Sequence, residues 1–458
     1  MARALKSLPS QWCTVAFLTV VGATTVSAQD AHYWTVQYGT RSGLLGGAVI
    51  GSVADISGTF YNPGALARAD SLGFAIAAQV FEIERGTLRD GGGPGIDLVS
   101  NRSGVKPNLI GGTIPLGFLG SNVLAYSLIT RQEGNADVIG RILDPPLDPG
   151  SGLDYLAGEI RLESTFNETW AGLSFASPLG GQKFGLGATW YVAFRTQRRR
   201  EQVLAEALQT SGTADAAIVL EQFNYTNLRT LGKVGAFYRG SRITAGLTLT
   251  TPSVRIAGVG DYGANEGVFV ADSGRVAPTY QEELRADYRS PFSVGGGISV
   301  GITPSTRIHG SIEWFDALDQ YDVLDPQPFE DQATGDAIPA SVVDERRSVV
   351  NWALGIEQRI SASWTGFASF ATDNSTNPEG TNLGDISLAN WNLLLFSIGA
   401  DLRVGNNHIT LGATVGWGDS EARQLVNFLE AVAGRPIGES RDVRFHYRVI
   451  RFLFGFET

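Results

Sequence analysis

From Ser71 onward the chain alternates apolar and polar positions with a period of two, which predicts strands that carry one apolar face. Phe184, Leu186, Ala188, Trp190, Val192 and Phe194 alternate with Gly185, Gly187, Thr189, Tyr191 and Ala193. Ile308, Gly310, Ile312 and Trp314 alternate with Arg307, His309, Ser311 and Glu313. Val350, Trp352, Leu354 and Ile356 repeat the pattern, as do Ile409, Leu411, Ala413, Val415 and Trp417. One face of each strand suits lipid and the other a partly polar interior.

The connections fall into two classes. Short ones rich in Gly, Pro, Ser and Asn lie at 119–122, 178–183, 239–242, 303–306, 360–363 and 404–407, the composition of hairpin turns. Long polar ones lie at 86–104, 133–157, 198–217, 257–280, 319–344, 373–389 and 419–441. Six short turns and seven long loops in strict alternation predict fourteen strands with both ends on the short-turn side. Even strand numbers, short periplasmic turns and long outer loops are properties of bacterial outer-membrane barrels. The expected fold class is therefore all-β, a 14-stranded antiparallel transmembrane β-barrel over 71–458.

Residues 1–28 read as a secretory signal, with Arg3 and Lys6 ahead of a short apolar run and Val26-Ser27-Ala28 as the cleavage site. That run is too short to span a bilayer, which takes roughly 20 apolar residues. Cys13, the only cysteine, leaves with it, so disulfides and cysteine-ligated metals are not expected. The full chain, with 57 Gly, 23 Phe, 13 Tyr and 9 Trp and a mean hydropathy of 0.00, has the composition of a wall that is apolar outside and polar within. A net charge of −11 gives no electrostatic footprint for nucleic acid.

Between the signal and the first strand lies 29–70, whose glycines (Gly43, Gly46, Gly47, Gly51, Gly58) suit tight folding in a confined space. The run Gly46-Gly47-Ala48, followed by Asn62-Pro63-Gly64, resembles the N-terminal hatch of the FadL-type long-chain fatty acid transporters, whose signature is Gly-Gly-Ala and then Asn-Pro-Ala. Leu247 to Pro252, Ser290 to Gly297, Glu313-Trp314, Gly366-Phe367 and Asp373-Asn374-Ser375 resemble strand-end and loop-start phrases of that family. The resemblance implies a fourteen-stranded barrel with 29–70 as a hatch in its lumen. It further implies passive uptake of hydrophobic solutes, long-chain fatty acids first and aromatic hydrocarbons as a further class, in the outer membrane of a Gram-negative bacterium. Outer-membrane lipid, lipopolysaccharide and the barrel-assembly machinery are the expected partners.

An enzyme is not expected. His32, His309, His408 and His446 form no metal-binding pair, and no cofactor is called for. Gly46, Gly47, Asn62, Pro63 and Gly64 are the hatch and gating candidates, since Asn62 can bond neighbouring backbone while Pro63 fixes φ. Arg195, Arg198, Arg199 and Arg200 are candidates for contact with lipopolysaccharide phosphates or fatty carboxylates. If 201–209 is helical, Val203, Leu204, Ala207 and Leu208 form one apolar stripe, and Leu425, Val426, Phe428, Leu429 and Val432 form a second. With Tyr33, Trp34 and Tyr38 these are the ligand-binding candidates. Two rival readings remain: a non-transporting barrel that serves as an assembly or secretion scaffold, and a hydrophilic porin, which would have rings of lumenal charge.

Overall fold

The computed structural model describes residues 26–27, 31–69, 73–89, 97–143, 153–180, 183–270, 273–378, 391–405, 407–423 and 442–457. In chain order the strands are β1 (Val26–Ser27), β2 (Ala75–Leu88), β3 (Leu98–Thr113), β4 (Val123–Leu143), β5 (Leu153–Leu179), β6 (Phe184–Gln209) and β7 (Ala214–Arg239). β8 (Ile243–Thr250), β9 (Val254–Val270), β10 (Ser273–Arg285), β11 (Ser293–Gly301) and β12 (Thr306–Phe315) follow. Then come β13 (Leu318–Leu324), β14 (Phe329–Glu330), β15 (Ala337–Ile338), β16 (Val342–Arg346), β17 (Val349–Arg359), β18 (Trp364–Asp373), β19 (Leu393–Val404), β20 (Asn407–Arg423) and β21 (Asp442–Glu457).

Sixteen of these strands form one antiparallel sheet that runs from β10 and β9 through β7 down to β2, then β21 to β17, β12, β11 and β8, and closes where β8 pairs with β7. Alternation decides which residues face out. Phe184, Leu186, Trp190 and Phe194 are each about half exposed, whereas Thr189, Tyr191 and Ala193 between them are buried inside. The same outward apolar band continues with Leu247, Ile312, Leu354, Ile398, Leu411 and Phe452 around the wall.

The sheet has two strands more than the turn count predicts. The long strand β7 pairs with β8 through Lys233–Arg239 and with β9 through Ala216–Thr230, because the chain breaks at Thr251, Pro252 and Ser253. A second break at 286–292, which contains Pro291, separates β10 from β11. Proline has no N–H for a ladder, so both breaks fall where pairing would fail.

The loop expected at 198–217, with its helix over 201–209, is instead the outer end of a hairpin. β6 and β7 pair residue by residue up to Leu208↔Ala214 and are joined by a turn at 210–213, in which Gly212 has φ +83°. The loops expected at 133–157 and 257–280 are likewise largely strand. Of 319–344, β13 and β16 pair with each other, and β14 with β15. This insert packs Tyr321, Val323, Leu324, Phe329 and Ile338 against Phe223, Tyr225 and Tyr262 of β7 and β9. The pair Val26–Ser27, which lies in the expected signal segment, runs parallel to Val342–Val343.

Residues 31–66 are almost continuously buried. They hold two short helices, α1 (Thr40–Leu44) and α2 (Gly58–Tyr61), and a 3-10 turn over Pro63–Arg68. Leu44, Leu45, Val49, Ile56, Phe60 and Leu66 share one core with wall residues Leu109, Ile129, Trp170, Tyr191, Leu231 and Leu453. The first and last strands of the closed sheet meet at the short-turn side, Ala75 against Glu457. Ala31 does not start there. Its carbonyl accepts from Thr376 N, at 2.8 Å, beyond the long-loop end of β18.

Candidate functional site

The interior segment is held by wall side chains that bond its backbone. Asp373 Oδ1 accepts from Tyr33 N and Trp34 N at 3.1 and 3.0 Å, Arg131 donates to Tyr33 O at 2.7 Å, and Arg451 donates to Thr35 O at 2.9 Å. A segment without regular structure has no ladder of its own, so such partners satisfy its buried amides. Lower down, Arg41 bonds Glu357 at 2.6 Å, and Ser52 Oγ lies 2.8 Å from His309 Nδ1.

The hatch candidates take part in this packing. Asn62 Nδ2 donates to Ile50 O and to Ala236 O, both at 3.0 Å, and its Oδ1 accepts from Gly64 N at 3.1 Å. One side chain thus bonds its own turn, the segment upstream and the wall. Gly46 and Gly47 have φ of +60° and +82°, conformations that side-chain-bearing residues avoid. Pro63 opens the 3-10 turn, where no N–H is needed. A Cβ at Gly64 would lie 2.5 Å from Gly235 O and 2.8 Å from Gly185 O, so only glycine allows this approach.

Between this segment and the wall lies a cavity of about 30 Å³, room for about two waters. Its apolar lining is Phe60, Trp170, Leu231 and Phe315; its charged lining is Arg131, Lys233, Arg289 and Arg346 against Glu168 and Glu313. Lys233 Nζ stands 3.7 Å from Glu313 and 4.7 Å from the Phe60 ring centre. Glu168 receives Arg195 at 3.1 Å and also Arg229, both guanidinium groups lying over the Tyr288 ring. Burial pushes the Tyr33 hydroxyl up to about 12, so Tyr33 is neutral at any ordinary pH. Cations outnumber carboxylates in this lining, with Arg346 and Arg289 paired to Asp344 and Asp287 outside it.

The structure separates residues that sequence spacing grouped. Arg195 and Arg199 point inward and are buried, whereas Arg198 and Arg200 point outward and are exposed. In the same way Val203 and Ala207 face in while Leu204 and Leu208 face out, so no single stripe exists. Two-residue periodicity replaces the helical one because 201–209 is strand. Leu425, Phe428 and Leu429 lie outside the described residues. Tyr33 lines the cavity; Trp34 donates to Glu313 at 2.9 Å; Tyr38 packs against Phe60 with ring centres 4.4 Å apart. Arg131, Glu168, Arg229, Lys233, Glu313 and Arg346 were not singled out from sequence. Their signal is a charge at an inward position of an apolar strand, as for Lys233 between Leu231 and Gly235.

No family model and no curated protein matches the sequence. Solved structures do. A FadL homologue of Pseudomonas aeruginosa aligns at 13% identity and a TM-score of 0.58, over 93% of this chain and 99% of that one. The toluene transporter TodX of Pseudomonas putida aligns at 12% and 0.58, over 94% and 99%. The toluene transporter TbuX of Ralstonia pickettii aligns at 10% and 0.56, over 92% and 98%. Near-complete coverage in both directions at such low identity establishes architecture: this chain has the fold of the FadL-type channels.

Proposed function

We propose that the protein is an outer-membrane channel for the passive uptake of hydrophobic solutes, long-chain fatty acids first among them. The cavity carries this reading, since its aromatic walls suit an acyl chain and Lys233, Arg131 and Arg346 suit a carboxylate. Each methylene removed from water contributes about 0.8 kcal/mol, so such a chain enters an apolar site readily. Taking β8 with β9 and β10 with β11 as single interrupted passages, the wall counts fourteen strands, and 29–70 is its hatch.

At about 30 Å³ the cavity is too small for any such solute, so the hatch must shift to admit one. A sideways exit is close by. Among the described residues β3 and β4 pair only from Leu109↔Ile129 to Thr113↔Ala125, although both strands continue outward. Asn108 of β3 donates to Gln37 O at 2.8 Å and Tyr38 Oη donates to Arg131 O of β4 at 3.2 Å, so Gln37 and Tyr38 bridge the seam. Withdrawal of this segment would enlarge the cavity and open the seam together. Insertion of the wall is assigned to the barrel-assembly machinery.

The test is uptake of a radiolabelled long-chain fatty acid, and of toluene, by proteoliposomes holding the parent protein or K233Q. The parent is expected to take up the acid, and K233Q to lose about tenfold for the acid with little change for toluene. The narrow cavity also favours a second reading, a non-transporting scaffold. Absence of uptake for every solute tried would establish that one instead.

A further inference from the structure

Strands β5, β6 and β7 are 27, 26 and 26 residues long, whereas a barrel strand crosses the hydrocarbon in about 9–11. On β6 the continuous outward apolar row stops at Phe194, the next outward residues are Thr196, Arg198, Arg200 and Gln202, and Leu204 and Leu208 follow nearer the turn. The ladder continues to Leu208↔Ala214, so this part of the wall stands beyond the hydrocarbon with both neighbours still paired.

The inward arginines of this strand are engaged, Arg195 with Glu168 and Arg199 with Glu201 at 2.9 Å. The outward ones are not. Arg198 and Arg200 are exposed and form no hydrogen bond or ion pair among the described residues. Across the ladder Arg198 faces Asn224 on β7 and Thr165 on β5, and Arg200 faces Gln222 and Glu163. Glu163, the acidic member, is held by Arg161 at 2.5 Å.

We propose that Arg198 and Arg200, flanked by Asn224 and Gln222, dock the phosphate groups of the outer-leaflet glycolipid. Same-face residues two apart are about 6.6 Å apart, with the next strand at about 4.8 Å, which makes a compact array of donors. With a tilt of about 40° the array lies roughly 10–15 Å beyond Phe194, in the headgroup layer. Guanidinium forks bind phosphate in a bidentate way. The chain as a whole carries a net charge of −11 and repels polyanions in general, so two unpaired cations at this level single out the one anion that surrounds the wall there.

The proposal rests on the outer-membrane reading but not on transport, and the experiment keeps them apart. The folded barrel in detergent is titrated with bis-phosphorylated lipid A, dephosphorylated lipid A and phosphatidylglycerol by native mass spectrometry, with fatty acid uptake measured separately. The parent is expected to prefer phosphorylated lipid A by about tenfold over both others. R198Q/R200Q should lose that preference and keep uptake. R198K/R200K retains the charges without the fork and should fall between, which serves as the test if the Gln pair fails to fold. Unchanged preference in the double variants, or equal binding of phosphatidylglycerol by the parent, overturns the assignment.

Discussion

Arg346 and Tyr33 meet at the cavity, where the guanidinium Nη1 donates to the phenol oxygen at 2.9 Å while Nη2 donates to Tyr288 Oη at 2.6 Å. Arg346 ends the insert between β12 and β17, and Tyr33 belongs to the interior segment, so one residue joins the insert to that segment. Tyr33→Phe removes the hydroxyl and keeps the ring on Phe315, at 4.4 Å. We expect Tyr33→Phe to raise single-channel conductance in planar bilayers while heat-modifiable gel mobility stays that of the parent. Arg346→Met is harsher because it leaves the Asp344 carboxylate buried without its cation, at a cost of about 3–5 kcal/mol. It should expose the insert to limited proteolysis.

Gly64→Ala forces its new methyl onto the backbone of β6 and β7, and neither strand can give way without breaking ladder bonds. The hatch rather than the wall should yield, with a loss of about 1–3 kcal/mol. Raised conductance with an intact barrel is the expected outcome. A variant as closed as the parent would mean that the segment is not a plug at this end.

Glu221 provides a pH test outside the membrane band. It lies across from Glu201, and burial together with that carboxylate holds it up at about 8, well above an unfolded carboxyl. The unfolded chain therefore releases this proton between about pH 4.5 and 8 while the folded one keeps it, so stability contributed here falls as pH rises through that window. Thermal melting of the outer hairpin, followed by protease resistance, should weaken from pH 5 to pH 8. Glu221→Gln should flatten that dependence.

The strand over 201–209 is testable by cysteine labelling, since Cys13 is the chain's only cysteine and lies in the expected signal. Single cysteines at Leu204, Glu206 and Leu208 should react with a water-soluble maleimide, and those at Val203, Ala205 and Ala207 should not. Labelling every third or fourth position would restore the helix.

The sequence by itself determined the wall wherever lipid meets it. A side chain facing hydrocarbon must be apolar and its neighbour facing the lumen need not be, so Phe184 to Phe194 carry their own orientation. Turns announced themselves as well, because Arg239-Gly240-Ser241-Arg242 and Thr303 to Thr306 join strands without any choice of partner. Beyond the lipid this constraint lapses. Val203, Leu204, Ala207 and Leu208 fit a helical stripe and a two-faced strand equally well, and only the ladder to Ala217 and Val219 decides between them. The cavity is wholly a tertiary matter. Tyr33 and Arg346 are 313 positions apart, and Arg195 meets Glu168 because strand register sets one across from the other. Register is a property of two paired strands, and hydrogen bonds between strands fix it rather than the residues of either one.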